Sequence, residues 1–144
     1  MRDPFTGRKT RRRLEDWETR LMVWLTSVRD EKLSYGRFDC VIGLSCGAVE
    51  RQTGENLIHL APDYKNRREA LKIVKDAGGY ESLMDGYLKR APRFDRHRGN
   101  IVLLHSDYGP AFGVRVSSQA AFLTENGLRM STITQGSPEW SVVG

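Results

Sequence analysis

The period of the apolar residues changes once along this chain, near Pro92, and that change restricts the fold more than composition does. Before it, Leu14, Trp17, Leu21, Trp24, Leu25 and Val28 recur at intervals of three and four over residues 13–30. Ala70, Leu71, Ile73 and Val74 do the same over 66–76, which Gly78-Gly79 then stops. Such spacing predicts amphipathic helices with these residues turned inward. A second short helix follows at about 80–88. After Pro92 the pattern becomes extended, in runs at 101–104, 111–116, 120–123, 128–134 and 140–143. Asp107-Tyr108-Gly109-Pro110, Asn126-Gly127 and Gly136-Ser137-Pro138 separate several of these runs, and Asn-Gly is a strong hairpin signal. Helices first and strands last, without alternation, predict an α+β domain whose antiparallel sheet packs on the earlier helices.

Between the first two helical patterns lies Tyr35-Gly36-Arg37-Phe38-Asp39-Cys40, followed by Val41-Ile42-Gly43-Leu44-Ser45-Cys46-Gly47-Ala48-Val49. The first six residues read as a loop ending in a helix N-cap, because the Asp39 carboxylate can accept from the free N–H groups of the next turn. Cys40 then falls in that turn, where the partial positive charge of a helix N-terminus favours the thiolate relative to a free cysteine at about 8.5. Val41, Leu44, Ala48 and Val49 lie near one stripe, and Gly43 and Gly47 leave room for close approach by another backbone. This helix, ending near Gly54, is the natural central helix against the sheet. Cys40 is therefore either a nucleophile at a helix tip or a small apolar residue at a buried helix start. The segment over 57–64, with His59 and Pro62, reads as irregular.

The chain has 144 residues and a formal charge of +5, but the charge is unevenly placed. Residues 1–13 hold six bases, Arg2, Arg8, Lys9, Arg11, Arg12 and Arg13, against one acid, Asp3, and the rest of the chain is neutral. The expected organisation is a basic arm over 1–13 and a single domain over 14–144. The arm is the electrostatic footprint: a solvated tail, or a contact for an acidic protein surface or nucleic acid. Nucleic-acid binding is disfavoured, since the remaining chain presents no base-reading element.

Cys40 and Cys46 sit six apart, which on one helix points them to different sides, so neither a disulfide nor a zinc site is expected. That usage fits a reducing compartment. Acidic residues from Glu15 onward interrupt any signal-peptide core, and no run approaches the roughly 20 apolar residues of a membrane span. No metal or cofactor is expected.

A cysteine at the tip of a central helix, preceded by an aromatic-Gly-x-Phe-Asp stretch and followed by a late antiparallel sheet, resembles the NlpC-type papain-like cysteine hydrolases. The pattern is closer still to phage and prophage tail-region proteins related to them. The resemblance runs over about residues 14–143, through the Cys40 stretch, Gly54, Tyr64, Gly78-Gly79, Gly99-Asn100-Ile101-Val102-Leu103-Leu104, Gly109-Pro110-Ala111-Phe112-Gly113-Val114, Gly127-Leu128 and Trp140. It implies a papain-like fold with Cys40 as nucleophile or its vestige, and Tyr35 as an orienting group or a packed aromatic. In hydrolytic members a histidine opens the second sheet strand in a His-x-Gly-hydrophobic pattern, and here Ala111-Phe112-Gly113-Val114 puts alanine there. Gly99-Asn100 replaces the usual Gly-Asp, a change expected to cost the fold little. His105, at the end of the first strand, is the candidate substitute base, ahead of His59 and His97.

Two functions follow from the resemblance. The first is a structural or assembly component of a tailed-phage tail, made in the host cytoplasm and carried in the virion. Its partners would be other tail proteins of the hub, distal tail or tape-measure region, with Arg8, Lys9, Arg11, Arg12 and Arg13 as the binding arm. The second is an active peptidase or amidase that opens peptidoglycan during entry, with Cys40 as nucleophile and His105 as base.

Overall fold

The three-four spacing produces its first helix where the apolar residues are densest: α1, Trp17–Ser27, shorter at both ends than the spacing allows, with Leu21 and Leu25 buried. The computed structural model describes residues 11–58, 63–107 and 109–144, so His59, Pro62 and Tyr108 lie outside the described residues, as do Arg2, Arg8 and Lys9. The central helix starts as a π-helical segment, Cys40–Ser45, and continues as α2, Cys46–Thr53, which Gly54 ends in the left-handed conformation at φ +80°. Its two inner glycines are occupied mainly by rings. A Cβ on Gly47 would collide with the indole of Trp24, and one on Gly43 with the ring and Cα of Phe38.

Asn66 caps α3, Arg67–Ala77, by accepting from the Glu69 N–H at 2.9 Å. The expectation that Ala70, Leu71, Ile73 and Val74 turn into the core is corrected here: no residue of α3 is buried. The helical period is right, but the helix lies over a pocket instead of the sheet, so its apolar side faces open space. α4, Tyr80–Asp85, is also shorter than expected, and buries Met84.

The sheet has six antiparallel strands among the described residues: β1 (Lys89–Arg90), β2 (Ile101–Ser106), β3 (Gly109–Arg115), β4 (Gln119–Thr124), β5 (Gly127–Thr132) and β6 (Glu139–Ser141), in the order β1-β6-β2-β3-β4-β5. β1 carries no sequence signal, being two exposed residues paired to β6. Alternation along β2 splits its continuous apolar run between two clusters. Ile101 and Leu103 join Phe112, Val114, Leu123 and Trp140 against the helices. Val102 and Leu104 join Ala120 and Phe122 on the opposite face, where Ile133 of the return connection packs on them. The fold is therefore α+β, with the Cys40 helix on the sheet.

At the end of the sheet opposite the Cys40 thiol, Glu139 is fully buried and ion-paired to Arg115 at 2.8 Å. Asn100, also fully buried, donates to Glu139 Oε2 at 2.7 Å and to the Asp95 carbonyl at 2.9 Å. Two of the basic residues expected in an arm, Arg11 and Arg13, reach into this body. Arg13 Nε donates to Gln52 Oε1 at 2.8 Å while its guanidinium lies 4.5 Å over the Trp17 ring. Arg11 Nε donates to the Val142 carbonyl at 3.1 Å.

Candidate functional site

Residues 34–39 fold into a miniature loop that presents Tyr35 and aims Asp39. Ser34 and Phe38 exchange backbone hydrogen bonds, both 2.8 Å, and Gly36 between them takes φ +81°. A Cβ there would overlap the Tyr64 carbonyl, so only glycine lets the two segments meet. Asp39 is buried and accepts from four donors: the N–H groups of Val41 (2.9 Å), Ile42 (2.8 Å) and Gly36 (2.8 Å), and the Tyr64 hydroxyl (2.6 Å). The N-cap expected at Asp39 is thus present, and its carboxylate also locks the loop to Tyr64.

That cap changes the chemistry expected of Cys40. The N-terminal N–H groups that would stabilise a thiolate already serve Asp39, whose negative charge opposes a second anion beside it. Burial acts the same way and more strongly, so the Cys40 thiol is pushed up to about 11, against the lowering expected at a helix tip. A backbone hydrogen bond from Phe112 pulls in the other direction without prevailing. The register explains this bond. β4 pairs with β3 only from Gly113 onward, at Gly113 opposite Phe122, so Phe112, paired with Leu103 of β2 on one side, is left without a strand partner on the other, where Cys40 lies. Cys46 is buried, its thiol likewise raised to about 11 by desolvation, and both cysteines are free.

Cys40 opens onto a pocket of about 160 Å³ between the loop, α3 and the start of β3. Ala111 lines it, so the resemblance's alanine and its cysteine meet at one site. Tyr35 lines it as well, and so do Tyr64, Tyr80 and Tyr87. Desolvation and the bond to Asp39 hold the Tyr64 phenol well above its ordinary range, and burial with nearby Cys40 raises Tyr80. Arg67, at the first turn of α3, supplies a cation to the same wall.

His105 does not join this site. It is exposed, sits opposite Pro110 in the β2–β3 register, and is absent from the pocket lining. His97 lies in the turn before β2, 3.1 Å from Asp95, and no histidine lines the pocket among the described residues. No group of His, Cys, Asp and Glu able to hold a metal occurs among the described residues, and no described helix is long and apolar enough to cross a membrane. Sequence reasoning missed Arg67, Tyr80 and Tyr87 as site residues. Each belongs to a helix or its end, where periodicity shows a face but not that the face borders a cavity.

A family model described as a domain of unknown function, DUF6950, matches residues 12–142. No curated protein matches the chain.

Proposed function

The chain belongs to the DUF6950 family, a domain family without an assigned function, and on that premise we propose that its pocket binds a neighbouring protein and does not hydrolyse. The reading is of an assembly component in a tailed-phage tail, carried in the virion and built on an inactivated NlpC-type papain-like hydrolase. The observation that carries it is the pairing of Cys40 with Ala111 and the Phe112 N–H in one pocket. Cysteine hydrolysis needs a thiolate and a group that returns a proton to the leaving atom. A methyl group does neither. With the thiol at about 11, the thiolate at neutral pH is about one part in ten thousand. Losing a member of a catalytic triad removes several powers of ten in rate.

The phage setting rests on the sequence resemblance, and so do the hub, distal-tail or tape-measure proteins as partners. Two measurements test the proposal. Purified protein incubated with peptidoglycan fragments should release no product, and iodoacetamide should label Cys40 slowly at pH 7, equally in the His105→Ala variant. Turnover that disappears in Cys40→Ser would overturn the non-hydrolytic reading. Imaging of assembled particles with the protein tagged should locate it in the tail, and its absence there would remove the assembly role.

A further inference from the structure

We infer that the pocket takes the carboxy-terminal residue of a partner chain, with its apolar side chain in the cavity and its free carboxylate on Arg67. The inference rests on the reading of this pocket as a binding site and names what it binds.

The size of the cavity comes first. At about 160 Å³ it matches the roughly 150 Å³ apolar cavity that accepts benzene, so it holds one aromatic or large aliphatic side chain and no more. Its walls suit that cargo: Val41, Ile73, Val74, Leu83 and Phe112 contribute hydrocarbon. This also accounts for α3, whose apolar side has no protein core to cover.

Charge then selects among apolar ligands. Two charged side chains line the pocket, Asp39 and Arg67. Asp39 is consumed by its four hydrogen bonds. Arg67, an exposed residue at the pocket's rim, has no carboxylate or hydrogen-bond partner among the described residues, and is the cation the lining offers to a ligand. In the same lining, where Tyr80 senses the Arg67 charge, the hydroxyls of Tyr35, Tyr80 and Tyr87 accept or donate no hydrogen bond among the described residues, so the wall offers donors to a ligand oxygen. A guanidinium presents a planar fork that fits a carboxylate with two parallel hydrogen bonds.

A chain terminus meets both requirements within one residue, because its side chain and its carboxylate leave the same carbon. An acidic side chain next to an apolar residue would instead place its charge a residue away from the cavity. A free carboxylic acid with an alkyl tail shares part of this chemistry and is separated by experiment.

The test uses the full chain and three probes at 0.15 M salt, followed by calorimetry and by NMR shifts of the tyrosine rings. The probes are a glycine-serine hexapeptide ending in phenylalanine, the same peptide with an amidated terminus, and octanoate. The expected result is that the free-acid peptide binds at least tenfold more tightly than its amide and more tightly than octanoate. Arg67→Gln should remove that tenfold preference, while Arg68→Gln, with the same loss of charge on the same helix turn but outside the pocket, should keep it. Equal binding of acid and amide, an equal effect of the two arginine variants, tighter binding of octanoate, or no peptide binding would each overturn the inference. The two readings fail separately: an inert Cys40 with no peptide binding removes this inference alone, whereas turnover on peptidoglycan removes the binding reading beneath it.

Discussion

Cys40 shows how a single neighbour reverses what position alone implies. A cysteine in the first turn of a helix gains from the N-terminal N–H groups only if nothing else uses them, and Asp39 uses two of them. Alkylation of Cys40 should therefore rise about tenfold per pH unit from pH 7 to beyond pH 9, with no plateau near neutrality. A plateau below pH 8 in a stopped-flow or mass-spectrometric assay would contradict a thiol at about 11. Stability carries the same signature. Below about 8.5 folded and unfolded chains both hold the proton; above it the unfolded chain releases it first, so stability falls as pH rises, by about 1.4 kcal/mol per unit per thiol. Urea midpoints between pH 8.5 and 9.5 should decline, and decline less in Cys40→Ala. Asn100, expected to cost the fold little in place of aspartate, also holds a buried charge. Its amide donates to buried Glu139 and to the Asp95 carbonyl, so Asn100→Asp removes both donors and sets two carboxylates together. We expect a loss of about 2–4 kcal/mol at pH 7. It should recover partly as pH falls toward 4, because the introduced carboxyl keeps its proton to higher pH in the fold than in the unfolded chain.

At the scale of elements, the sequence made the type of each long segment legible and left its neighbour hidden. Leu21 and Leu25 place α1 by period alone. The same period in α3 predicts an inward face, yet the helix covers a cavity, because period reports amphipathicity and not what the apolar side meets. The Asn126-Gly127 hairpin is present between β4 and β5, with a detail the dipeptide does not reveal. Thr124 pairs with Gly127, so Glu125 and Asn126 form the turn and Gly127 takes φ +101° as the first strand residue. There it also admits Arg29, whose carbonyl accepts from Leu128 N–H at 2.8 Å. The glycines of the central helix are legible as close-approach points, but the approach expected from another backbone is made mainly by the rings of Trp24 and Phe38. Since the Gly47 Cβ position is filled by the Trp24 indole, Gly47→Ala should cost about 1–3 kcal/mol by overpacking. In Trp24→Leu the same change should be nearly free, and a double-mutant cycle by urea denaturation measures that coupling. Additive effects would mean that α1 and α2 meet elsewhere.

Across the whole molecule, the least legible feature is how the basic segment ends. Composition draws the boundary after Arg13 because the charge run stops there, but a run of like charge says nothing about which members find partners far along the chain. Arg13 finds five in three separate regions. It donates to Gln52 on α2 at 2.8 Å, approaches His97 at 3.5 Å, and reaches the Arg98 carbonyl (3.5 Å) and Asn100 Oδ1 (3.4 Å) in the turn before β2. It also lies over Trp17 at the start of α1. Partial burial holds its guanidinium below the usual arginine range, with Asp95 and Glu18 opposing the shift. One planar side chain thus ties the first helix, the central helix and the sheet entrance together. A lysine cannot reproduce that geometry, because a single ammonium replaces a fork and a stacking plane. Arg13→Ala should therefore lower stability by about 1–3 kcal/mol in urea denaturation, and Arg13→Lys should recover less than half of the loss. Hydrogen exchange should localise the change to α1, the end of α2 and residues 95–100, with the Cys40 pocket unaffected. If Arg13→Lys were as stable as the parent chain, the residue would be acting as a point charge, and the boundary drawn from charge alone would be the better description.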